Sequence, residues 1–109
     1  MQIQHLQVSI SAETKEQADQ ILNALLARKI VTGGQIINAP ARFLWKGAIV
    51  DMNYFTIQSF TLEKYKSAII NEVKKISIEE VPMISFVCMS GNEEFLEWIE
   101  NTLLLDEQI

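Results

Sequence analysis

At 109 residues the chain is long enough for one hydrophobic core, and we predict a single domain over 1–109. Hydrophobic residues make up 49% and charged residues 21%, a globular composition that excludes a disordered chain. The net charge of −5 disfavours nucleic acid as a partner, since phosphate binding requires clustered lysine and arginine, and the single cysteine excludes an intrachain disulfide.

The N-terminal segment, 1–5, carries neither the positive charge nor the apolar run of a signal peptide. No apolar run elsewhere approaches the ~18 residues that a membrane span requires. We therefore expect a cytoplasmic protein that makes no contact with a membrane.

A strand and a helix open the predicted fold. Apolar and polar residues alternate over 6–10, which is the period of a strand with one buried face. Thr14 and Gln17 have the spacing of a capping box, and the helix after them should end near Lys29 because the glycine pair 33–34 follows. The apolar face of this helix consists of Ala18, Ile21, Leu22 and Leu25.

Two extended runs, 35–45 and 48–58, come next. They are separated by Lys46-Gly47, and a glycine in so short a break predicts a β-hairpin. Pro40 cannot donate a ladder hydrogen bond, so we expect a bulge, an edge or a bend there. Apolar residues fall on both faces of the hairpin, namely Ile36, Ile37, Phe43, Ile49, Tyr54, Phe55, Ile57 and Phe60. Both faces should then be buried, and association of subunits through the sheet is the simplest way to cover them.

The second half of the chain predicts a helix over 62–75, a strand over 84–89 and a last helix after Ser90 and Glu93, which have capping-box spacing. The apolar faces of the two helices consist of Leu62, Tyr65, Ile69 and Val73, and of Phe95, Trp98, Ile99 and Leu103. The acidic tail, 106–108, is expected to fray, and 103–105 to pack on a neighbouring subunit.

The predicted order of elements is β-α-β-β-α-β followed by a helix. This is the ferredoxin-like, or split βαβ, arrangement of the α+β class, in which helices cover one side of an antiparallel sheet. The other face requires a polar surface or a neighbouring subunit.

Side chains suited to catalysis or metal binding are few. Soft and borderline ions favour cysteine and histidine, but the chain has one of each, His5 and Cys88, in strands that need not be neighbours. We expect a buried structural thiol at Cys88 and a surface or edge position for His5. The carboxylate pairs 79–80 and 93–94 are interpreted as a solvated loop and the first turn of a helix. We predict no catalytic residue, no metal-binding residue and no enzyme.

Three segments carry a family resemblance. The run Phe43-Leu44-Trp45-Lys46-Gly47-Ala48-Ile49 is similar to a motif Tyr-Arg-Trp-x-Gly-x-(Val/Ile). Val81-Pro82-Met83-Ile84 is similar to Val-Pro-Glu-Ile, and 91–99 is similar to Gly-Asn-x-x-Tyr-Leu-x-Trp-(Ile/Leu). In order and spacing these segments resemble the CutA1 family, small proteins named for divalent cation tolerance.

The resemblance implies a ferredoxin-like subunit in a homotrimer, with the hairpin crossing subunit boundaries and a non-enzymatic role in divalent cation tolerance or ion homeostasis. Because that trimer looks like the trimer of the PII signalling proteins, the alternative is a regulator that binds a small anionic ligand or nucleotide in the cleft between subunits. The expected partners are further copies of the chain and a small ligand or protein.

Copper or zinc is the cation that the resemblance implies, yet most of the groups proposed as its ligands in the family are missing. The family cysteine is absent from 31–35, and 77–80 replaces a His-Pro-Tyr segment. Phe60 and Met83 replace a lysine and a glutamate. These departures disfavour direct metal binding, although a threefold axis could gather three copies of one side chain.

Trp45 and Asp51 are the candidate residues of a ligand cleft. Trp45 lies at the predicted hairpin tip, where it is either an interface residue or the wall of a cleft between subunits. Asp51 keeps an acidic charge that the family has after the hairpin glycine. The candidates for the trimer interface are Phe43, Trp45, Tyr54 and Trp98.

Overall fold

The computed structural model describes residues 2–104, so the expected fraying of 106–108 lies outside the described residues. Leu103, expected to pack on a neighbouring subunit, is instead buried in a cluster of its own chain. The elements are β1 His5–Ala12, α1 Lys15–Ala27, β2 Gly34–Trp45, β3 Ala48–Leu62, a 3₁₀ turn Glu63–Tyr65, α2 Lys66–Ile76, β4 Ile84–Cys88 and α3 Glu93–Leu104. The strands form one sheet in the order β2-β3-β1-β4, and every neighbouring pair is antiparallel. The predicted α+β class and antiparallel sheet are confirmed. Within residues 2–104, no helix has the length and apolar character needed to cross a bilayer.

Helices α1 and α2 pack on one face of the sheet. The Thr14 half of the predicted capping box is confirmed, since the Thr14 hydroxyl accepts a hydrogen bond from the Gln17 N–H at 3.1 Å. The side-chain oxygen of Gln17 accepts from the Ile78 N–H instead. The buried core between these helices and the sheet consists of Val8, Ile10, Ala12, Ala18, Ile21, Leu25, Ile30, Val31, Ile57, Ile69 and Val73. Burial of this apolar surface is the main free-energy source for the fold.

Helix α3 packs on the opposite face. Leu62, Ile99 and Leu103 form a second buried cluster, with Phe60 packed against it. Successive β-strand side chains point to opposite faces, so Leu62 cannot share a face with Ile57 of the first core. The expectation of helices on one side of the sheet is therefore wrong for α3.

Two predicted helix starts are also wrong. Leu62 is the last residue of β3, where it is paired with His5 of β1, and α2 begins four residues later. The capping box at Ser90 does not form, because α3 begins at Glu93 and Asn92 directly precedes it. Leu62 therefore belongs to the α3 cluster rather than to the face of Ile69 and Val73, because its pairing with β1 ends the strand at this residue.

A hairpin arm, defined as residues 39–54, projects from the sheet. β1 pairs with β3 over 55–62, whereas β2 pairs with β3 to the tip at Trp45 and Ala48. The turn residues Lys46 and Gly47 have φ angles of 50° and 83°, and two successive positive values match the twist that a two-residue hairpin requires. The predicted hairpin is confirmed, and Pro40 lies on the edge strand β2, one of its three expected settings.

Candidate functional site

The hairpin arm and the segment between α2 and β4 enclose a cleft of about 370 Å³. We call residues 77–83 the acidic loop and this depression the arm cleft. Its walls carry three aromatic and three carboxylate side chains, which are Phe43, Trp45, Tyr54, Glu13, Glu79 and Glu80. Aliphatic side chains from both sides complete the lining.

The register of the hairpin places the aromatic residues on one face of the arm. Phe43 pairs with Val50, Trp45 with Ala48 and Tyr54 with Ala39, so these positions share a face of the two-stranded ribbon. The rings of Phe43 and Tyr54 meet edge to face, with centroids 5.4 Å apart. The arm therefore presents a continuous aromatic wall to the cleft.

Two buried polar side chains hold the acidic loop against the body of the subunit. The Ser11 hydroxyl accepts a hydrogen bond from the Met83 N–H and donates one to Glu79 Oε1, both at 2.8 Å. Gln17 Oε1 accepts a hydrogen bond from the Ile78 N–H at 2.7 Å. Sequence reasoning missed the role of both residues, because Gln17 was read as part of a helix cap and nothing near Ser11 indicates a partner 68 to 72 residues away.

Glu79 is the carboxylate whose environment departs most clearly from that of a solvated loop. Burial raises the pKa of the Glu79 carboxyl above its ordinary value, and the neighbouring Glu13 carboxylate adds to the rise, while the hydrogen bond from Ser11 opposes it. The interpretation of 79–80 as a solvated pair is therefore wrong for Glu79, which is partly buried.

A glutamine at position 79 should make the protein more stable at neutral pH. The folded state holds the Glu79 proton more tightly than the unfolded chain, so stability is lost as pH rises from the ordinary carboxyl range through the raised pKa. Glu79→Gln keeps an acceptor for Ser11 and removes this loss. Urea unfolding at a fixed protein concentration should give a higher midpoint than the native chain at pH 7 and no difference below about pH 4. Glu13→Gln should show a smaller shift in the same direction, and a lower midpoint for Glu79→Gln at pH 7 would contradict the assignment.

Glu80 lies at the mouth of the cleft and is paired across it. Lys46 Nζ lies 3.2 Å from Glu80 Oε1 and 5.4 Å from the centroid of the Trp45 ring. Both charged side chains are 65% exposed, so the ion pair adds little stability. Its importance is geometric, because it shows that Trp45 and Glu80 can bind one ammonium group together.

The two predicted cleft residues, Trp45 and Asp51, are not brought together. Asp51 pairs with Arg42, and this pair lies on the face of the arm opposite to Trp45. Arg42 Nε donates to Asp51 Oδ1 at 2.5 Å, and both residues line a separate, open depression of about 520 Å³. The hairpin register, which places 51 on the opposite face from 48, could have shown this from the sequence.

The four interface candidates divide into two groups. Phe43, Trp45 and Tyr54 lie together on the arm. Trp98 lies on α3, is 47% exposed and stacks on Phe95 with centroids 6.2 Å apart. Its indole is therefore outside the buried face that the sequence predicted for the helix.

His5 and Cys88 also differ from their expected settings. β1 and β4 are neighbours, and Leu6, next to His5, pairs with Cys88. The His5 side chain is 11% exposed, and its Nε2 lies 2.7 Å from Glu100 Oε2 of α3. Cys88 is exposed on the edge strand β4. The buried thiol and the surface histidine were thus both wrong, because strand order and the docking of α3 decide their environments.

Comparison with known proteins gives matches over most of the chain. The family model of the CutA1 divalent ion tolerance protein matches residues 6–102. A curated relative, the divalent-cation tolerance protein CutA of Archaeoglobus fulgidus, is 28% identical over 100 residues, which cover 91% of this chain and 98% of that protein.

Solved structures share the fold. The structure of the Archaeoglobus fulgidus CutA has a TM-score of 0.87 at 28% identity and covers 91% of this chain and 98% of its own. CutA1 from Ehrlichia chaffeensis has a TM-score of 0.86 at 20% identity, with 94% of this chain and 98% of that chain covered. CutA1 from Oryza sativa has the same TM-score and identity, with 92% and 94% covered.

One comparison corrects an expectation about location. The Archaeoglobus fulgidus structure is described as that of a periplasmic protein. This finding contradicts the cytoplasmic location expected from the residues at 1–5, and that expectation is withdrawn.

Proposed function

Since the chain belongs to the CutA1 family of divalent ion tolerance proteins, we propose that it acts in divalent cation tolerance as a homotrimer and without catalysing a reaction. The observation that carries the proposal is the family match over 6–102, which confirms the resemblance in the hairpin, 81–84 and 91–99 segments. The strand order, with β3 between the parallel strands β1 and β2, supports a ferredoxin-like subunit.

Exposed apolar side chains on the hairpin arm support association of subunits. Leu44 is 79% exposed and Ile49 is 71% exposed, and these two residues are paired on the face of the arm that Asp51 occupies. A concentration of apolar surface at the end of a subunit 49 Å long marks an interaction site, since it would otherwise remain in water. We propose that neighbouring copies of the chain cover this face of the arm.

A metal centre within one subunit is not part of the proposal. Proteins bind copper and zinc with several cysteine, histidine or carboxylate ligands. In the described range 2–104, no three such side chains lie close enough together to hold a metal ion. The described residues of one chain therefore do not fit a copper or zinc site, and the role in tolerance is proposed for the assembled protein.

The charge of the arm cleft bears on the PII-like alternative. That alternative requires a small anion or nucleotide beside Trp45, but the carboxylates of Glu13, Glu79 and Glu80 line the same space. Negative groups in a partly enclosed cleft repel an anionic ligand. The geometry of the subunit thus favours the tolerance role over an anion-binding regulator.

The proposal predicts that the chain protects cells from copper as a trimer. Expressed in a copper-sensitive bacterium that lacks its own CutA1 protein, it should raise the copper concentration that halves the growth rate. The purified protein should have three times the mass of one chain by size exclusion with light scattering. The double variant Leu44→Ser, Ile49→Ser should lower both the measured mass and the copper concentration that halves the growth rate, because the arm loses its apolar contacts.

Leu26→Ser is the matched control, since Leu26 is an exposed apolar residue on α1 rather than on the arm. It should leave the mass and the growth effect unchanged. The mass of a single chain at micromolar concentration would refute the trimer, and unchanged growth on copper would refute the tolerance role.

A further inference from the structure

We propose that the arm cleft binds a small organic cation, specifically a linear alkyl chain that carries ammonium groups. One chain provides both walls of the site, which are the acidic loop and the aromatic face of the hairpin arm, opposite to the face that carries Leu44 and Ile49. This inference goes beyond the role in divalent cation tolerance, because it assigns a ligand class that does not follow from the family.

The size and lining of the cleft suit a small molecule. Its volume of about 370 Å³ lies in the range of small-ligand sites, roughly 300 to 1,000 Å³. Such sites combine a mostly apolar wall with a few polar groups that orient the ligand. Here the aromatic and aliphatic residues provide the apolar wall, and the carboxylates of Glu13, Glu79 and Glu80 are the orienting groups.

The sign of the ligand charge follows from the carboxylates. Three of them line the cleft, and Lys46 is paired with the outermost one, Glu80. Burial and the neighbouring Glu13 already disfavour the charged form of Glu79, as its raised pKa shows. An ammonium group placed between Glu13 and Glu79 would relieve both the repulsion and the lost hydration, so the cleft favours a cation.

Lys46 shows the contacts that such a ligand would make. Its ammonium lies over the Trp45 ring at 5.4 Å and 3.2 Å from Glu80 Oε1. An alkylammonium ligand uses the same two partners, an aromatic face and a carboxylate. A divalent metal ion instead requires several oxygen, nitrogen or sulfur ligands. The outer end of the cleft therefore accepts an organic ammonium, for which Lys46 is the internal competitor.

Calorimetric titration of the purified full chain at low ionic strength tests the proposal with three probes of equal chain length. We expect 1,4-diaminobutane to bind about 10-fold or more tightly than the neutral butane-1,4-diol, because its charged groups reach the carboxylates. Succinate, the dianion, should give no measurable heat. Equal affinities for the diamine and the diol would overturn the proposal, as would binding of succinate.

Two variants locate the site. Glu79→Gln should weaken binding of 1,4-diaminobutane about 10-fold although it is expected to stabilise the fold at neutral pH, so unfolding cannot explain the loss. Lys46→Gln should strengthen binding several-fold, because the internal competitor for Trp45 and Glu80 is removed.

The matched controls carry the same charge changes elsewhere. Lys64→Gln removes an ammonium that lies over the Tyr65 ring at 5.3 Å, and Glu97→Gln removes an exposed carboxylate on α3. Neither should change the affinity by more than about 2-fold, since both groups are outside the cleft. If Lys46→Gln and Lys64→Gln changed the affinity equally, net charge alone would explain the change and the proposal would be overturned. Binding is measured on the purified chain and copper tolerance in cells, so either proposal can fail while the other stands.

Discussion

Replacing Gly34 with alanine is expected to lower the free energy of unfolding by about 3 kcal/mol. Gly34 opens β2 opposite Ser59 of β3, and a Cβ built on it would lie 2.1 Å from the backbone oxygen of Gln58. The same atom would lie 2.9 Å from the Gln58 carbonyl carbon. Because the obstructing atoms belong to the backbone, the clash can be relieved only if β2 and β3 separate at this point.

Gly91→Ala is the control for this prediction. A Cβ at Gly91 would lie 3.2 Å from a ring carbon of Phe95, and a side chain can move where a paired strand cannot. Urea unfolding at one fixed protein concentration should show a large drop in midpoint for Gly34→Ala and a change below about 1 kcal/mol for Gly91→Ala. Similar midpoints for the two variants would show that β2 and β3 are not in such close contact.

Truncation of Ile99 to alanine is the second change with a large expected effect, a loss of about 2 to 4 kcal/mol. Ile99 is fully buried and forms the core beneath α3 with Leu62 and Leu103. Three buried residues are few, so a cavity at the central one cannot be filled by rearrangement of a large surrounding core. Other contacts between α3 and the rest of the subunit include the pair of His5 with Glu100 and the hydrogen bond that the Tyr65 hydroxyl donates to the Leu103 carbonyl.

Thr102→Ala is the matched change, since Thr102 lies three residues further along α3 and is exposed. It should alter stability by less than about 0.5 kcal/mol. Hydrogen exchange should become faster across 93–104 in Ile99→Ala while the α1 amides keep their protection, because α3 has a core of its own. Uniform loss of protection over both helices would contradict a separate α3 cluster.

Local signals were sufficient for much of the fold. The alternation over 6–10, the cap at Thr14 and the Lys46-Gly47 turn each depend on residues only a few positions apart, and each prediction is confirmed. Once the turn is placed at Lys46-Gly47, the hairpin register also puts Trp45 and Asp51 on opposite faces of the arm. Periodicity works for such features because the backbone geometry of a strand or turn repeats over a few residues.

The same reasoning predicted less of the candidate site. Trp45 was found as an aromatic at a hairpin tip, but the carboxylates facing it come from 13 and 79–80, which are far away in the chain. They are placed by Ser11 and Gln17, whose hydrogen bonds to the acidic loop join the start of the chain to its second half. No pattern of spacing predicts a contact of that kind, since it depends on how elements pack after they have formed.

The sequence by itself determined the order of the elements, the family and most of the core, because these follow from hydrophobic period, turn chemistry and motif order. Only the tertiary structure determined which face of the sheet α3 covers, the pairing of His5 with Glu100 and the exposure of Cys88. It also formed the arm cleft, in which aromatic residues of the hairpin face the carboxylates of the acidic loop. The physical reason is that burial and charge at these positions depend on long-range strand order and helix docking, which the identity of neighbouring residues does not specify.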